Sequence, residues 1–247
     1  MISTEIEKDE SLLEAIKELI KIRPTYGYRR VTALLNHCSN QSKVNHKRVY
    51  RLMKLSGLLL PKHGISRPSR THTGQIQTLR SNTRWCSDYF TIPCWNGERV
   101  YVAFSLDTCD REAMRYVAST KGINGEAIRD LMVETLDYRL KGIMPNHKIQ
   151  WLSDNGPAYV AHETIEFGRR IGLEICTTPP YSPESNGMAE ALVKTLKRDY
   201  VWVSDLSDAQ MVMRQLPGWF EDYNERAPHK ALQMRSPRQY IKHKSAS

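Results

Sequence analysis

Three acidic residues are set apart by the segments that carry them. Asp88 lies within the apolar run Trp85–Pro93, Asp154 closes the apolar stretch in WLSDNG where Asn155-Gly156 opens a turn, and Glu190 follows the loop PPYSPESNG into a helical stretch. Carboxylates that converge at a sheet edge can hold two Mg²⁺ about 3.5–4 Å apart. One ion then activates an attacking oxygen while the other stabilises the leaving oxygen of an in-line displacement at phosphorus. Spacing alone carries little weight, because 27 acidic residues in 247 positions give about two or three pairs at the separation of Asp154 and Glu190 by chance. On the helix that carries Glu190, a 3.6-residue period places Leu192, Val193, Leu196, Tyr200 and Val203 on one arc and Glu190, Lys194, Lys197 and Arg198 on the other. A first-turn carboxylate suits the helix dipole, and cations one and two turns later can grip phosphates beside it. The bland alternative is a surface helix with an i,i+4 Glu–Lys pair worth about 0.3–0.5 kcal/mol. That alternative is favoured for the helix in isolation, and phosphoryl chemistry for the three carboxylates together. Among the other acids, Asp107 and Asp110 read as turn-formers, and Glu126, Asp130 and Glu134 read as a solvated face. Glu184 is a weaker third ligand, since nothing fixes its direction.

The surrounding segments predict how these residues are positioned. Trp85–Pro93, Arg99–Asp107 after the Asn96-Gly97 turn, and Ala113–Ser119 after the turn around Asp110 form an antiparallel meander. A helix follows over 123–141, with Ile128, Leu131, Met132, Thr135 and Leu136 at helical spacing. Then come a strand at Lys148–Ser153, a helix over 161–171, a strand at Leu173–Thr178 and the Glu190 helix. The order βββαβαβα predicts an α/β fold: a ribonuclease H-like mixed sheet flanked by helices over residues 83–204. Residues 205–247, with Trp219, Phe220, Tyr223, His229, Leu232 and Tyr240, read as a helical extension packed on that core.

Charge separates this core from what precedes it. Of a net +9, residues 1–82 hold 15 Lys/Arg against 6 Asp/Glu, and residues 83–247 hold 21 of each. No acid lies between 19 and 82, a stretch that carries +13. Residues 1–60 predict a small all-α module. Leu12, Leu13, Ile16, Leu19 and Ile20 mark one helix ending before Pro24, and Val31, Leu34 and Leu35 mark a second. Val49, Leu52, Met53 and Leu55 mark a third, capped at Asn45 and ended at Gly57. This resembles a helix-turn-helix, with Lys43, Lys47, Arg48, Arg51 and Lys54 on the exposed face of the third helix, where they meet phosphates or base edges or else are merely solvated. Residues 61–82 read as a linker whose Lys62, Arg67, Arg70 and Arg80 either lie along a DNA backbone or belong to a plain tether. No apolar run approaches the roughly 20 residues of a membrane span. The five scattered cysteines suggest neither a disulfide framework nor, with His37 and His46, a zinc site; a reducing cytosol fits.

The ordered segments PTYGYRRVTALL, NHKRVYRLM, RWCSDYF, FSLDTCDRE, WLSDNG, SPESNGMAEALVKTLKRDYV and YNERAPHKALQMRSPRQY cover nearly the whole chain. They resemble DDE transposases with a retroviral-integrase-like core, and closely the downstream-frame product of the bacterial insertion-sequence family whose transposase is fused from two overlapping frames. The resemblance implies Asp88, Asp154 and Glu190 as the catalytic, metal-binding triad with two Mg²⁺, for which Mn²⁺ can substitute. It places Lys194 and Lys197 where integrases contact the terminal bases and phosphates of the element's end, and makes 179–188 a mobile loop beside the site. The implied reaction is metal-dependent 3′-strand cleavage by water, strand transfer by the new 3′-OH, and a circular intermediate joining the two ends. Implied partners are double-stranded DNA, as element ends and as target, a second copy of the chain, and the upstream-frame product that supplies a further helix-turn-helix and a leucine zipper. The implied location is the bacterial cytoplasm, on nucleoid DNA. The zinc-binding HHCC pattern of retroviral integrases is missing. Two alternatives stay open: a ribonuclease H-like nuclease that only hydrolyses, and a DNA-binding regulator with an inactive core.

Overall fold

Alternation along the strands sets the layers of the core. In a computed structural model, which describes residues 2–38, 43–61, 78–143, 145–178 and 186–245, five strands form one mixed sheet. They are β1 (Arg84–Pro93), β2 (Arg99–Asp107), β3 (Ala113–Ser119), β4 (Ile149–Ser153) and β5 (Leu173–Thr177), in the spatial order β3-β2-β1-β4-β5. The meander β1–β3 is antiparallel, while β4 lies parallel to both β1 and β5. Helices supply the crossovers that parallel neighbours require. They are α4 (Gly125–Leu140), the single turn α5 (Pro157–Val160) and α6 (His162–Arg170), with α7 (Gly187–Asp199), α8 (Ala209–Glu225) and α9 (Pro237–Ser245) beyond the last strand. This is the predicted ribonuclease H-like arrangement, and α5 is too short for its periodicity to have shown.

Each sheet face buries its own core. Cys86, Phe90, Ile92, Val102, Phe104 and Leu152 pack with Leu192 and Leu196 of α7 and Leu216 and Phe220 of α8. On the opposite face Trp85, Ala103 and Trp151 pack with Ile128, Leu131 and Met132 of α4 and with Tyr159 of α5. The sheet is therefore covered on both sides, and strand positions of one parity look toward α7.

The β2–β3 turn is tied into this core. Asp107 Oδ1 accepts from the Cys109 and Asp110 amides at 2.7 and 3.2 Å, so the expected turn-forming role is present. The same carboxylate accepts from the Asn82 amide and the Trp85 indole. Arg139 of α4 pairs with Asp110 and Glu112 and lies 3.7 Å from Asp107. These acids are fully or almost fully buried, and the guanidinium and backbone donors offset part of the cost of that burial.

The N-terminal unit comprises α1 (Ile2–Ile22), α2 (Tyr28–Cys38) and α3 (His46–Leu55), grouped by proximity with Arg226–Ser236. Ile16, Tyr26, Val31, Val49, Leu52 and Met53 form its core. Asn45 caps α3 through its Oδ1, which accepts from the Lys47 amide at 2.9 Å, and Gly57 follows the helix with φ +67°. Among the described residues no helix is long and apolar enough to cross a membrane. The linker residues Lys62, Arg67 and Arg70, most of the 179–188 loop, and Glu184 lie outside the described residues.

Candidate active site

Asp88 and Asp154 come together through strand register. Cys86 of β1 pairs with Leu152 of parallel β4, and each aspartate lies two residues past that rung. Neighbouring strands are about 4.8 Å apart, so the register that buries Cys86 and Leu152 on one face carries the two carboxylates to the same level. Asp88 shares strand parity with Cys86 and Phe90, the side on which α7 packs. Glu190 sits in the first turn of α7 and reaches that face.

Local bonds hold each position. Asp88 Oδ1 accepts from the Tyr89 amide at 2.8 Å, and Asp154 Oδ1 accepts from the Gly156 amide at 3.0 Å. A Cβ on Gly156 would meet Asp154 Oδ1 at 3.0 Å, so glycine leaves the carboxylate its place. The Asn155 side chain donates to the Thr178 carbonyl, tying the turn to the end of β5. Behind Asp88, the Ser87 and Tyr159 hydroxyls share a 2.9 Å bond. Asn186, at the start of α7, donates to the Ser87 carbonyl at 3.4 Å, and its own Oδ1 is buried with no partner among the described residues. Sequence reasoning read Asn186 only as loop, and saw Tyr159 and Ser87 not at all. Their pairings cross long stretches of chain and leave no periodic signal.

The electrostatics register the convergence. Burial pushes the Asp88 carboxyl up from 3.8 to about 6; the Tyr89 amide opposes that shift, and the charges of Asp154 and Glu190 add to it. Asp88 and Glu190 line one opening of about 530 Å³ with Tyr89, Phe90, Thr91, Val193, Lys194 and Lys197. Asp154 does not line it. Among the described residues no three acidic, histidine or cysteine side chains are already gathered as a metal-holding group. The donor chemistry nevertheless suits a hard divalent cation: carboxylate oxygens from β1, the turn after β4 and α7, with the charges of Asp154 and Glu190 felt at Asp88.

On α7 the buried arc runs through Met188, Ala189, Leu192, Leu196 and Asp199. Val203 departs from the expected arc and is 46% exposed, because the α-helix ends at Asp199 and the chain tightens into a 3₁₀ turn at Val201–Val203. Lys194 lies 3.3 Å from Glu190, and Lys197 stands over the Phe90 ring at 5.9 Å. Arg198, expected with them on the working face, is 47% exposed and directs two donors to the buried Asp199 carboxylate. In the N-terminal unit Lys47 and Lys54 are exposed, whereas Arg48 and Arg51 both pair with Asp9 of α1.

Known proteins resemble the chain along nearly its whole length. The chain matches an HTH-like domain over residues 7–64 and an integrase core domain over 79–183 and 171–237. It is 44% identical over 243 residues to transposase InsD for insertion element IS2A/D/F/H/I/K of Escherichia coli, covering 97% of this chain and 81% of that one. It is 45% identical over 239 residues to an uncharacterized 48.2 kDa protein of insertion element IS2A of Escherichia coli, covering 95% of this chain but only 56% of that longer relative. In fold it is similar to a chain of the cryo-EM structure of the simian T-cell lymphotropic virus intasome in complex with PP2A regulatory subunit B56 gamma. That similarity has a TM-score of 0.56 at 17% identity, over 91% of this chain and 73% of that one. With an HTH-like domain ahead of a ribonuclease H-like integrase core, the chain belongs to the insertion-element transposases.

Proposed function

We propose that the chain cuts the 3′ strands at the ends of an insertion element and joins those ends to target DNA, with Asp88, Asp154 and Glu190 as its metal-binding carboxylates. The observation that carries this reading is the opening that Asp88 and Glu190 line with Lys194 and Lys197, where burial and the charges of Asp154 and Glu190 raise the Asp88 carboxyl to about 6. A buried carboxylate beside two like charges is costly unless a cation joins them. Held by these three residues, two Mg²⁺, or Mn²⁺ in their place, would activate the attacking oxygen and neutralise charge on the leaving one.

The chain's own side chains do the rest. Lys194 and Lys197 hold phosphates flanking the scissile bond, and Phe90 and Val193 give the opening an apolar wall. In cleavage a water oxygen bonds to phosphorus as the bond to the 3′ oxygen breaks, leaving a 3′-OH on the element end. In transfer that 3′ oxygen bonds to a target phosphorus while the target's own 3′ oxygen departs; one phosphoester bond forms as one breaks, so no further energy source is needed. In the N-terminal unit α3 enters a major groove, with Lys47, Arg48, Arg51 and Lys54 toward DNA. Joining two ends calls for two active sites, hence a second copy. The upstream-frame product and a circular intermediate belong to the same reading, and the work is done on cytoplasmic, nucleoid DNA.

The test is strand transfer from short duplexes bearing a ready-made 3′-OH end, in Mg²⁺ or Mn²⁺. Joined product is expected from the chain, with Glu190→Gln reducing it by about a thousandfold while duplex retention stays level. If neither joining nor the reverse reaction on a branched substrate is seen despite duplex binding, the core is inactive and the chain is a regulator. Cleavage of RNA–DNA hybrids without joining would make it a nuclease.

A further inference from the structure

Lys47, Tyr50, Arg51 and Lys54 form one exposed stripe along α3, three and four residues apart, opposite the buried Val49, Leu52 and Met53. Aromatic rings brace one margin of it: Tyr28 meets Tyr50 edge-on at 5.1 Å and stacks with His46 at 6.3 Å. At the other margin stands a single carboxylate from α1. Asp9 Oδ1 accepts from Arg48 Nε at 2.6 Å, and Asp9 Oδ2 accepts from Arg51 Nη2 at 2.7 Å. Asp9 is 29% exposed, Arg48 36% and Arg51 60%.

Ion pairs this wet add little to stability. Their consequence here is orientation. A guanidinium carries five N–H donors in a rigid planar fork. With one donor tied to Asp9, the plane of each fork is set and its other donors remain for a ligand. An untethered arginine on such a stripe meets DNA mainly as a charge, whereas one held in plane presents two parallel donors that match the O6 and N7 acceptors of guanine. Asp9 also repels phosphate, which disfavours docking registers that lay these arginines on the backbone.

We propose that Asp9 is a specificity-determining residue for DNA recognition: it holds Arg51, with Arg48 beside it, so that α3 reads guanine in the major groove. The inference rests on α3 being the DNA-reading helix. The probe is a pool of short duplexes randomised over about one and a half helical turns, incubated with the full chain, with the retained fraction sequenced. The wild-type chain enriches guanine at one or two positions. Asp9→Asn keeps or raises affinity for the unselected pool, since a negative charge beside the phosphates is gone, yet its guanine preference at those positions falls by about tenfold. Arg51→Lys keeps the charge, loses the fork and flattens the same position. A wild-type chain that retains no duplex overturns the reading of α3 and this inference with it. Duplex binding without guanine preference overturns the inference alone. So does an Asp9→Asn chain that keeps the preference, or one that loses preference and pool affinity together.

Discussion

With its carboxyl at about 6 instead of 3.8, Asp88 is harder to ionise in the folded chain than in the unfolded one. Above about pH 6 it is charged in both states, and folding alone carries the burial and the repulsion from Asp154 and Glu190. That cost shrinks as pH falls through 6 and is gone near 3.8, where both states take up the proton. Asp88→Asn should therefore stabilise the metal-free chain at about pH 8 by about 2 kcal/mol, raising the unfolding temperature by a few degrees, with the gain fading toward pH 4. Thermal unfolding in a chelator checks the sign, and a variant less stable than wild type at about pH 8 would show that Asp88 has a stabilising partner instead. Added Mg²⁺ should reverse the order, because a ligand raises stability only where its site survives. Of this arrangement, the three carboxylates were legible from their segment contexts. The coupling between them was not, since it depends on a strand register that places Asp88 and Asp154 at one level.

Strands and helices were legible where burial imposes a period. β1 and β2 read as long, largely apolar runs because each sheet face has its own core, and turn residues at Asn96-Gly97 separate them. What periodicity does not mark is the polar pairing between elements. Arg139 sits on the helix whose apolar face was read from Ile128 and Leu131, and no local pattern announces that its guanidinium reaches back to Asp107, Asp110 and Glu112. Arg238 of α9 joins the same acids through Glu112, with Glu221 and Glu225 of α8 on its other donors. Arg139 is 10% exposed, and its removal takes the cation from the buried Asp107 and Asp110 while Glu112 keeps Arg238. Arg139→Met is expected to cost about 3–5 kcal/mol, seen as a lower midpoint in urea unfolding. A cost below about 1 kcal/mol would mean that the backbone amides around the turn suffice to hold these acids.

Across the whole chain, charge and structure divide differently at the C-terminal end. The aromatic residues after 205 predicted one extension on the core. Trp219, Phe220 and Tyr223 do pack there, whereas Arg226–Ser236 groups with Met1–Ser69, a long-range return that no composition shift marks. The charge boundary near residue 82 has a direct consequence for DNA binding. Residues 83–247 are neutral in sum while 19–82 carry +13, so sequence-independent affinity should come from those N-terminal residues, apart from the local lysines at the active site. Each phosphate neutralised by a cation contributes about 0.9 to the slope of log affinity against log salt. Lys47 and Lys54 are exposed on α3 and lie outside its core, so replacing both should leave the helix folded. Lys47→Gln with Lys54→Gln should make that slope shallower by about 2 and weaken binding alike across sequences. The matching change at the active site, Lys197→Gln, removes one cation from a surface where Glu190 and Asp88 already repel phosphate, so its slope should change by less than about 1. Filter retention of a duplex over a range of salt measures both. If the α3 pair left the slope unchanged, the phosphate contacts would have to lie on another face of the molecule.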